Sequence, residues 1–392
     1  MDLKGEVAAH RDELIEIRRD LHRHPELGFE EHRTSAVVAE YLESVGADVE
    51  IVAGTGVVGL LGGGDEGPTL LLRADMDGLP LQEKSRVPYR SIYEGKMHAC
   101  GHDGHTAMLL VAARILSEYR DRIRGNIKFV FQPNEEDAGA GHMIDEGVLL
   151  DPVVDAALGL HLWSPLETGK IAIGPGPVMA ASHYFSLTVR GKGGHAGFPH
   201  QSVDPIAAAA EIVGSVQSIQ TRETDPAHPL VIMFGRIEGG TSPTIIPERV
   251  EMEGSIRFLH PGGEAAEESF ERVVRGICRA HGTTCDLRFR VGNRILVNDQ
   301  AMAELVFGAA RGVVGAENVT DEMRTMVGED FSEFALRVPS AFYFVGSGNR
   351  DRGTDYPHHH PRFDIDEDSL PVGVQMHVAA ALEFFRRFRR DG

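Results

Sequence analysis

Residues 127–137 read Ile-Lys-Phe-Val-Phe-Gln-Pro-Asn-Glu-Glu-Asp. A short apolar run closed by Pro133, then Glu135 and Glu136, reads as a buried strand that ends in an acidic loop. Comparable runs stand around it: VVGLL at 57–61, TLLLRA at 69–74, AALGLHL at 156–162 and AFYFVG at 341–346. Between them, TAMLLVAARILSEY (106–119) repeats at helical spacing. Solidly apolar strands alternating with helices predict an α/β domain whose central sheet is largely parallel and flanked by helices. Such sheets gather ligands outside the carboxyl ends of their strands, where Glu135 and Glu136 fall.

Outward from this core, Leu14, Ile17 and Leu21 share one helical face, and Val37, Val38, Tyr41, Leu42 and Val45 another, with Gly46 as a stop. Near residue 180 the pattern changes. Phe185, Leu187 and Val189 alternate with Ser186 and Thr188, as in a half-exposed strand. An alanine-rich helix (204–221), strands near 229–238 and 249–259, a helix over about 263–281 and a strand at 284–290 follow. The order β-α-β-β-α-β is that of a ferredoxin-like unit. The chain therefore reads as one domain interrupted by another: 1–179, an insert at 180–292, and a return at 293–392 that ends in a helix over 367–389.

The 392 residues carry 39 Lys and Arg against 59 Asp and Glu, a formal charge of −20, which argues against nucleic acid or anionic membrane as partners. No apolar stretch has the length of a membrane span, and MDLKGEVAAHRDELIEIRRDL is charged throughout, so a cytoplasmic protein is expected. Three cysteines make no disulfide framework. Cys278 and Cys285 read as packing residues of a helix–strand unit.

Cys100 has different company. His98-Ala-Cys100-Gly-His102-Asp103-Gly-His105 packs three imidazoles, a thiol and a carboxyl into eight residues, a donor set suited to zinc and other borderline divalent metals. Alone it would also serve as a polar loop opening a helix near 106, with Asp103 or Thr106 as cap. Adjacent Glu135 and Glu136 can divide metal binding and proton transfer between them. His161 ends an apolar strand, and His358-His359-His360 precedes Pro361. Four such pieces at strand ends of one domain make a stronger case than any single one. A serine mechanism lacks its G-x-S-x-G elbow, and Gly62-Gly63-Gly64, without a following Lys-Ser/Thr, reads as a turn and not a phosphate loop.

The ordered set RRDLHRHPELGFEE, RADMDGLPLQE, HACGHDGHTAMLL, FQPNEED, GLHLW, GKGGHAGFPH, GEDFSEF and HHHPRFDIDED resembles the aminoacylase/carboxypeptidase family of two-domain metallohydrolases. The resemblance is nearest to the amidohydrolase branch with hippurate, N-acyl-amino-acid and auxin-conjugate hydrolases. It implies an α/β catalytic domain with two divalent ions (Mn, Zn, Co or Ni) and an inserted ferredoxin-like lid that dimerises. By that resemblance Cys100, His102, Glu136, His161 and His359 are metal ligands, with His360 the alternative to His359. Glu135 is the general base, and Asp75 the acid that supports the metals. Arg73 stands where relatives outside this branch have a histidine, so no ligand falls there.

The same resemblance gives His195 the substrate carbonyl oxygen, commonly in a partner subunit's site, and Arg257 the substrate carboxylate. One departure touches carboxylate recognition: Thr244-Ile-Ile-Pro247 replaces an Asn-Val-Ile-Pro common among relatives. The implied reaction is metal-dependent hydrolysis of N-acyl amino acids to a carboxylic acid and a free amino acid. A dipeptidase or carboxypeptidase of the same fold is the alternative, and a non-catalytic binding relative a more remote one.

Overall fold

The computed structural model describes residues 2–63 and 66–388; Gly64 of the glycine run and residue 389 of the last helix lie outside the described residues. The chain forms two compact units. One comprises Met1–Val178, Val297–Met323 and Asp330–Gly392; the other comprises Met179–Leu296 and Arg324–Glu329.

The first unit is built on an eight-stranded sheet. Its spatial order is Asp48–Val52, Gly56–Gly62, Asn126–Gln132, Thr69–Asp75, Ala156–Glu167, Ser340–Gly348, Ile171–Ala172 and Val319–Thr320. The centre is parallel: Thr69–Asp75 lies between Asn126–Gln132 and Ala156–Glu167, and the latter pairs with Ser340–Gly348. Thr69–Asp75 and Ser340–Gly348 are buried at every position, which explains why the sequence shows runs there and no alternation. Lys128 interrupts an otherwise apolar strand because its ammonium reaches the carbonyls of Val148, at 3.0 Å, and Leu150.

The sheet is mixed, however. Gly56–Gly62 runs antiparallel to both of its neighbours. Ala53 (φ 53°) and Gly54 (φ 83°) reverse the chain between Val52 and Gly56. Two successive left-handed residues make a hairpin, and the dozen residues needed for a parallel crossover are absent.

The helix His102–Glu118 is the core helix, with fourteen of its seventeen residues buried. It packs on Thr69–Asp75 and beneath the helices Arg11–Arg23 and Leu370–Arg387. It starts at His102 and not near 106, so His102, Asp103 and His105 all lie in its first turn. Gly101 precedes it with φ 96°, and a Cβ on Gly104 would stand 2.6 Å from Leu162, so that turn presses directly onto the strand Ala156–Glu167.

In the second unit the elements run strand Ala181–Arg190, helix Pro205–Ser215, strands Leu230–Gly239 and Arg249–Phe258, helix Ala265–His281 and strand Thr284–Val291. The four strands form an antiparallel sheet in the order Leu230–Gly239, Arg249–Phe258, Ala181–Arg190, Thr284–Val291. Phe185, Leu187 and Val189 face a core completed by Ile212, Ile256 and Phe270. The alanine-rich helix is shorter than its periodicity suggests and gives way to a π-turn at Ile219–Glu223. Arg324–Glu329 joins this unit although it lies well beyond the insert in sequence. Val327 accepts from the Ala180 N–H at 3.0 Å, and Met326 from Arg257 at 3.1 Å.

Candidate metal centre

Three parallel strands deliver the site. Asp75 ends one strand and pairs with Gln132, the last residue of the next, so Glu135 and Glu136 follow immediately beyond the sheet edge. His161 lies inside the long strand Ala156–Glu167, two residues past Gly159, where its pairing with Thr69–Asp75 stops. It is thus not at the strand's own end but at the end of its parallel neighbour, which leaves the ring uncovered by a strand on that side.

The acidic loop is shaped by backbone and by one carboxylate. Asn134 (φ 52°) and Ala138 (φ 68°) bracket the short turn Glu135–Asp137. Asp77 Oδ1 accepts from the Glu135 N–H at 3.0 Å, and its Oδ2 from the Glu136 N–H at 3.2 Å. The same Oδ1 stands 3.1 Å from His102 Nδ1, which also faces the Asp77 carbonyl at 2.9 Å. That clamp puts the proton on Nδ1 and leaves His102 Nε2 as the lone-pair nitrogen, buried and without a hydrogen-bond partner. Nε2 lies 3.9 Å from both Glu135 Oε2 and Asp75 Oδ1.

His161 is fixed in the same manner. Its Nδ1 donates to the Leu162 carbonyl at 2.7 Å, so Nε2 faces Cys100 Sγ at 3.5 Å. Glu136 Oε1 is buried, lies 3.1 Å from His359 Nε2 and forms no hydrogen bond there. Cys100, Glu136 and His359 form one group whose donor atoms all lie within 4.8 Å of one another, and His102, Glu135 and Glu136 form another. Sharing Glu136, the two groups make a continuous set of one sulfur, two imidazoles and two carboxylates, with His161 beside the sulfur.

The electrostatics of the bare set are those of a cation site. Burial first, then Glu136, Glu135 and Asp75, push the Cys100 thiol well above its ordinary range. Burial would lower His102, yet Asp75 and Asp77 hold it up at about 10. A divalent ion reverses both tendencies, turning the thiol to thiolate and displacing the imidazole proton. Two inward-facing buried donors without partners, His102 Nε2 and Glu136 Oε1, and a mixed soft and hard donor set fit such an ion.

The three consecutive histidines separate cleanly. His359, with φ 63° and its N–H donated to the Ala99 carbonyl at 2.8 Å, turns its ring to Glu136. His360 instead stacks on Tyr356 at 4.7 Å and accepts from the Arg362 N–H. His358 stacks on Trp163 at 4.7 Å, accepts from the Ser164 N–H at 3.3 Å, and puts Nδ1 3.9 Å from Cys100 Sγ.

Asp75 lies behind the donor set, its Oδ1 3.9 Å from His102 Nε2. Its carboxylate is bound by Arg73 at 2.6 Å and by His105 Nδ1 at 2.6 Å, and Arg73 continues to Gln132 at 2.9 Å and Asp330 at 3.0 Å. Arg73 is therefore a buried ion-pair partner. His105 is also fully engaged, since Nε2 accepts from the Leu162 N–H at 2.8 Å. Asp77, two residues on in the same motif, is the acid in direct contact with His102 and the acidic loop.

A further layer lies behind the helix start. Arg18, fully buried, reaches Asp103 at 2.8 Å and Asp364 at 2.6 Å; His22 Nδ1 shares the same Asp103 oxygen at 2.8 Å. Asp103 is thus an anchor for the opening helix and not a helix cap. His195 and Arg257 belong to the second unit and to none of these groups. His195 is exposed, pairs with Ile245, and lines a shallow cavity of about 480 Å³ with Thr244 and Pro247.

Comparisons with known proteins agree with this arrangement. Peptidase family M20/M25/M40 matches residues 71–383. Thermostable carboxypeptidase 2 of Saccharolobus solfataricus is 39% identical, over 97% of this chain and 98% of that protein. N-acyl-L-amino acid amidohydrolase of Geobacillus stearothermophilus is 43% identical, over 76% of this chain and 81% of that one. The crystal structure of Bacillus subtilis YXEP, described as a dinuclear metal-binding peptidase of the M20 family, superimposes with a TM-score of 0.84 at 32% identity, covering 97% of this chain and 99% of that one. The chain belongs to peptidase family M20/M25/M40 and is a metal-dependent hydrolase of the amidohydrolase type.

Proposed function

We propose that this protein hydrolyses the amide bond of N-acyl amino acids, with N-acetyl, N-benzoyl or similar acyl groups, to a carboxylic acid and a free amino acid. The observation that carries the reading is the pair Glu135–Glu136, clamped by one carboxylate, with Glu136 turned to Cys100 and His359 and Glu135 left beside His102. Cys100, His102, Glu136, His161 and His359 are the ligands in this reading, for two divalent ions drawn from Mn, Zn, Co or Ni. Such ions, when bound, make water a nucleophile near neutral pH and polarise a carbonyl.

The rest is the work of side chains. Glu135 takes the proton of the attacking water and delivers it to the leaving nitrogen. Asp77 fixes the His102 tautomer and the loop that carries both glutamates. Asp75 acts one step further out, through His105 and the Leu162 peptide. His195 stabilises the oxyanion from a partner copy, and Arg257 holds the substrate carboxylate. The inserted unit, 180–292, is a ferredoxin-like lid through which two copies pair, the parts 1–179 and 293–392 forming the catalytic domain. We place the enzyme in the cytoplasm; no helix among the described residues is long and apolar enough to cross a membrane.

Amino-acid release from N-acetyl, N-benzoyl and indole-acyl amino acids, with a dipeptide control, tests this reading. Turnover of an acyl series well above the dipeptide is expected. The reverse order would favour a carboxypeptidase, a second reading that rests on the 39% identical thermostable carboxypeptidases.

A further inference from the structure

Two imidazoles turn opposite kinds of nitrogen to the Cys100 sulfur. His161 Nδ1 donates to the Leu162 carbonyl at 2.7 Å, so the Nε2 it holds 3.5 Å from Sγ carries a lone pair. His358 is wired the other way round. Its Nε2 accepts from the Ser164 N–H at 3.3 Å, which places the ring proton on Nδ1, the nitrogen 3.9 Å from Sγ. The donor atoms of Cys100, His161 and His358 all lie within 4.8 Å of one another, as in a metal site. The tautomer nevertheless takes His358 out of that set, because an N–H cannot bind a cation and can only be given to an acceptor.

The ring is held by contacts that do not depend on that proton. It stacks on Trp163 at 4.7 Å and packs on Phe363 at 4.9 Å. Trp163 and Ser164 belong to the strand Ala156–Glu167, which also carries His161, so one strand fixes both rings relative to Cys100. The next residue, His359, donates its N–H to the Ala99 carbonyl at 2.8 Å and ties this segment to the one before Cys100. A neutral thiol is a weak acceptor at 3.9 Å, whereas a thiolate carries a full charge and is a strong one. The competing acceptor on that side of the ring is the Cys100 backbone.

We propose that His358 is a positioning residue for Cys100: its Nδ1–H binds the thiolate when metal is present and makes the sulfur a poorer donor, which shifts the centre's choice from zinc toward manganese. The proposal rests on the reading of Cys100 as a metal ligand. A bare thiolate favours softer ions, and a hydrogen bond to the sulfur draws charge away from the metal bond.

The test loads cobalt(II), whose thiolate charge-transfer absorption reports on the sulfur directly, into wild type, H358F, H358N and C100S. H358F keeps a ring to stack on Trp163 but has no N–H; H358N restores a donor at the Nδ1 position. The wild-type band should move to longer wavelength in H358F, return toward its place in H358N and be absent in C100S, with equal cobalt content in wild type and both His358 variants. In competition titrations the ratio of zinc to manganese affinity should rise about tenfold in H358F. A band or a ratio that stays put in H358F overturns the proposal. Loss of a cobalt ion in H358F overturns it too, because His358 would then be a ligand. A wild-type spectrum identical to that of C100S removes Cys100 from the ligand set, and the proposal falls with the reading beneath it. A shifted band in a protein that releases no amino acid from N-acyl amino acids keeps His358 in this role while the amidohydrolase reading falls.

Discussion

Glu135 and Glu136 are neighbours with unlike surroundings, and the difference sets their expected behaviour. Glu136 Oε1 faces Cys100 and His359 and is one of the buried donors without a hydrogen bond. Glu136→Gln should therefore lose metal by elemental analysis. Glu135→Gln should keep its metal and lose about 10²-fold or more in kcat, because a proton acceptor has gone while the donor set remains. Equal metal retention in the two variants, with only KM altered, would contradict the division. Asp77→Asn tests the support of the same loop. It keeps the shape but presents an amide where two loop N–H groups and His102 need an acceptor, so metal affinity should fall about 10- to 100-fold. Metal titration with a competing chelator reads that change, and an unaltered affinity would remove Asp77 from the support of the site.

Among the elements, the helix Arg11–Arg23 is tied to the start of His102–Glu118 by Arg18 and His22 meeting on Asp103. Burial and Arg18 oppose the charge on His22, but Asp103 and Glu83 outweigh them and raise it to about 9. Its stabilising effect, on the order of 3 kcal/mol, is fully present below its ordinary value near 6.5 and is lost as pH rises through 9. Asp103 is held well below its usual range, so its contribution is lost only as pH falls into the strongly acidic region. The difference in denaturation midpoint between wild type and His22→Gln should be wide at pH 6 and narrow at pH 9.5; a gap independent of pH would contradict this ion pairing. Asp103→Asn removes one acidic partner of the buried Arg18 while Asp364 and Glu367 remain, and should cost about 1.5–3 kcal/mol in a denaturant titration.

Legibility in the sequence follows the same physics. Thr69–Asp75 and Asn126–Gln132 could be read because burial on both faces demands unbroken apolar runs. Asp48–Val52 could not, since four of its five residues are exposed or only partly buried. The direction of Gly56–Gly62 hung on the left-handed pair at Ala53 and Gly54, a signal carried by two residues and not by periodicity. Cys100, His102 and the Glu pair announced themselves by donor chemistry. Asp77 did not, because its contacts appear only when the 133–137 loop folds back on it, and the run His358-His359-His360 was legible as a donor group without showing which ring meets Trp163 and Cys100.

At the scale of the whole molecule, the chain joins a parallel-centred α/β unit to an antiparallel one that carries His195 and Arg257. If His195 serves a neighbouring copy's centre, mixing a His195→Ala protein with a Glu135→Gln protein should restore part of the activity after subunit exchange. No recovery despite demonstrated exchange would remove that cross-subunit role. On the proposed function, the set built from Cys100, His102, Glu135, Glu136, His161 and His359 hydrolyses amides only when it holds divalent metal. The most direct measurement is amino-acid release from an N-acyl amino acid by chelated protein, followed step by step as Mn is returned and bound metal is counted. Activity should be absent at the start and rise with occupancy to a plateau near two ions per chain. Full turnover by protein that elemental analysis finds free of metal would contradict the account.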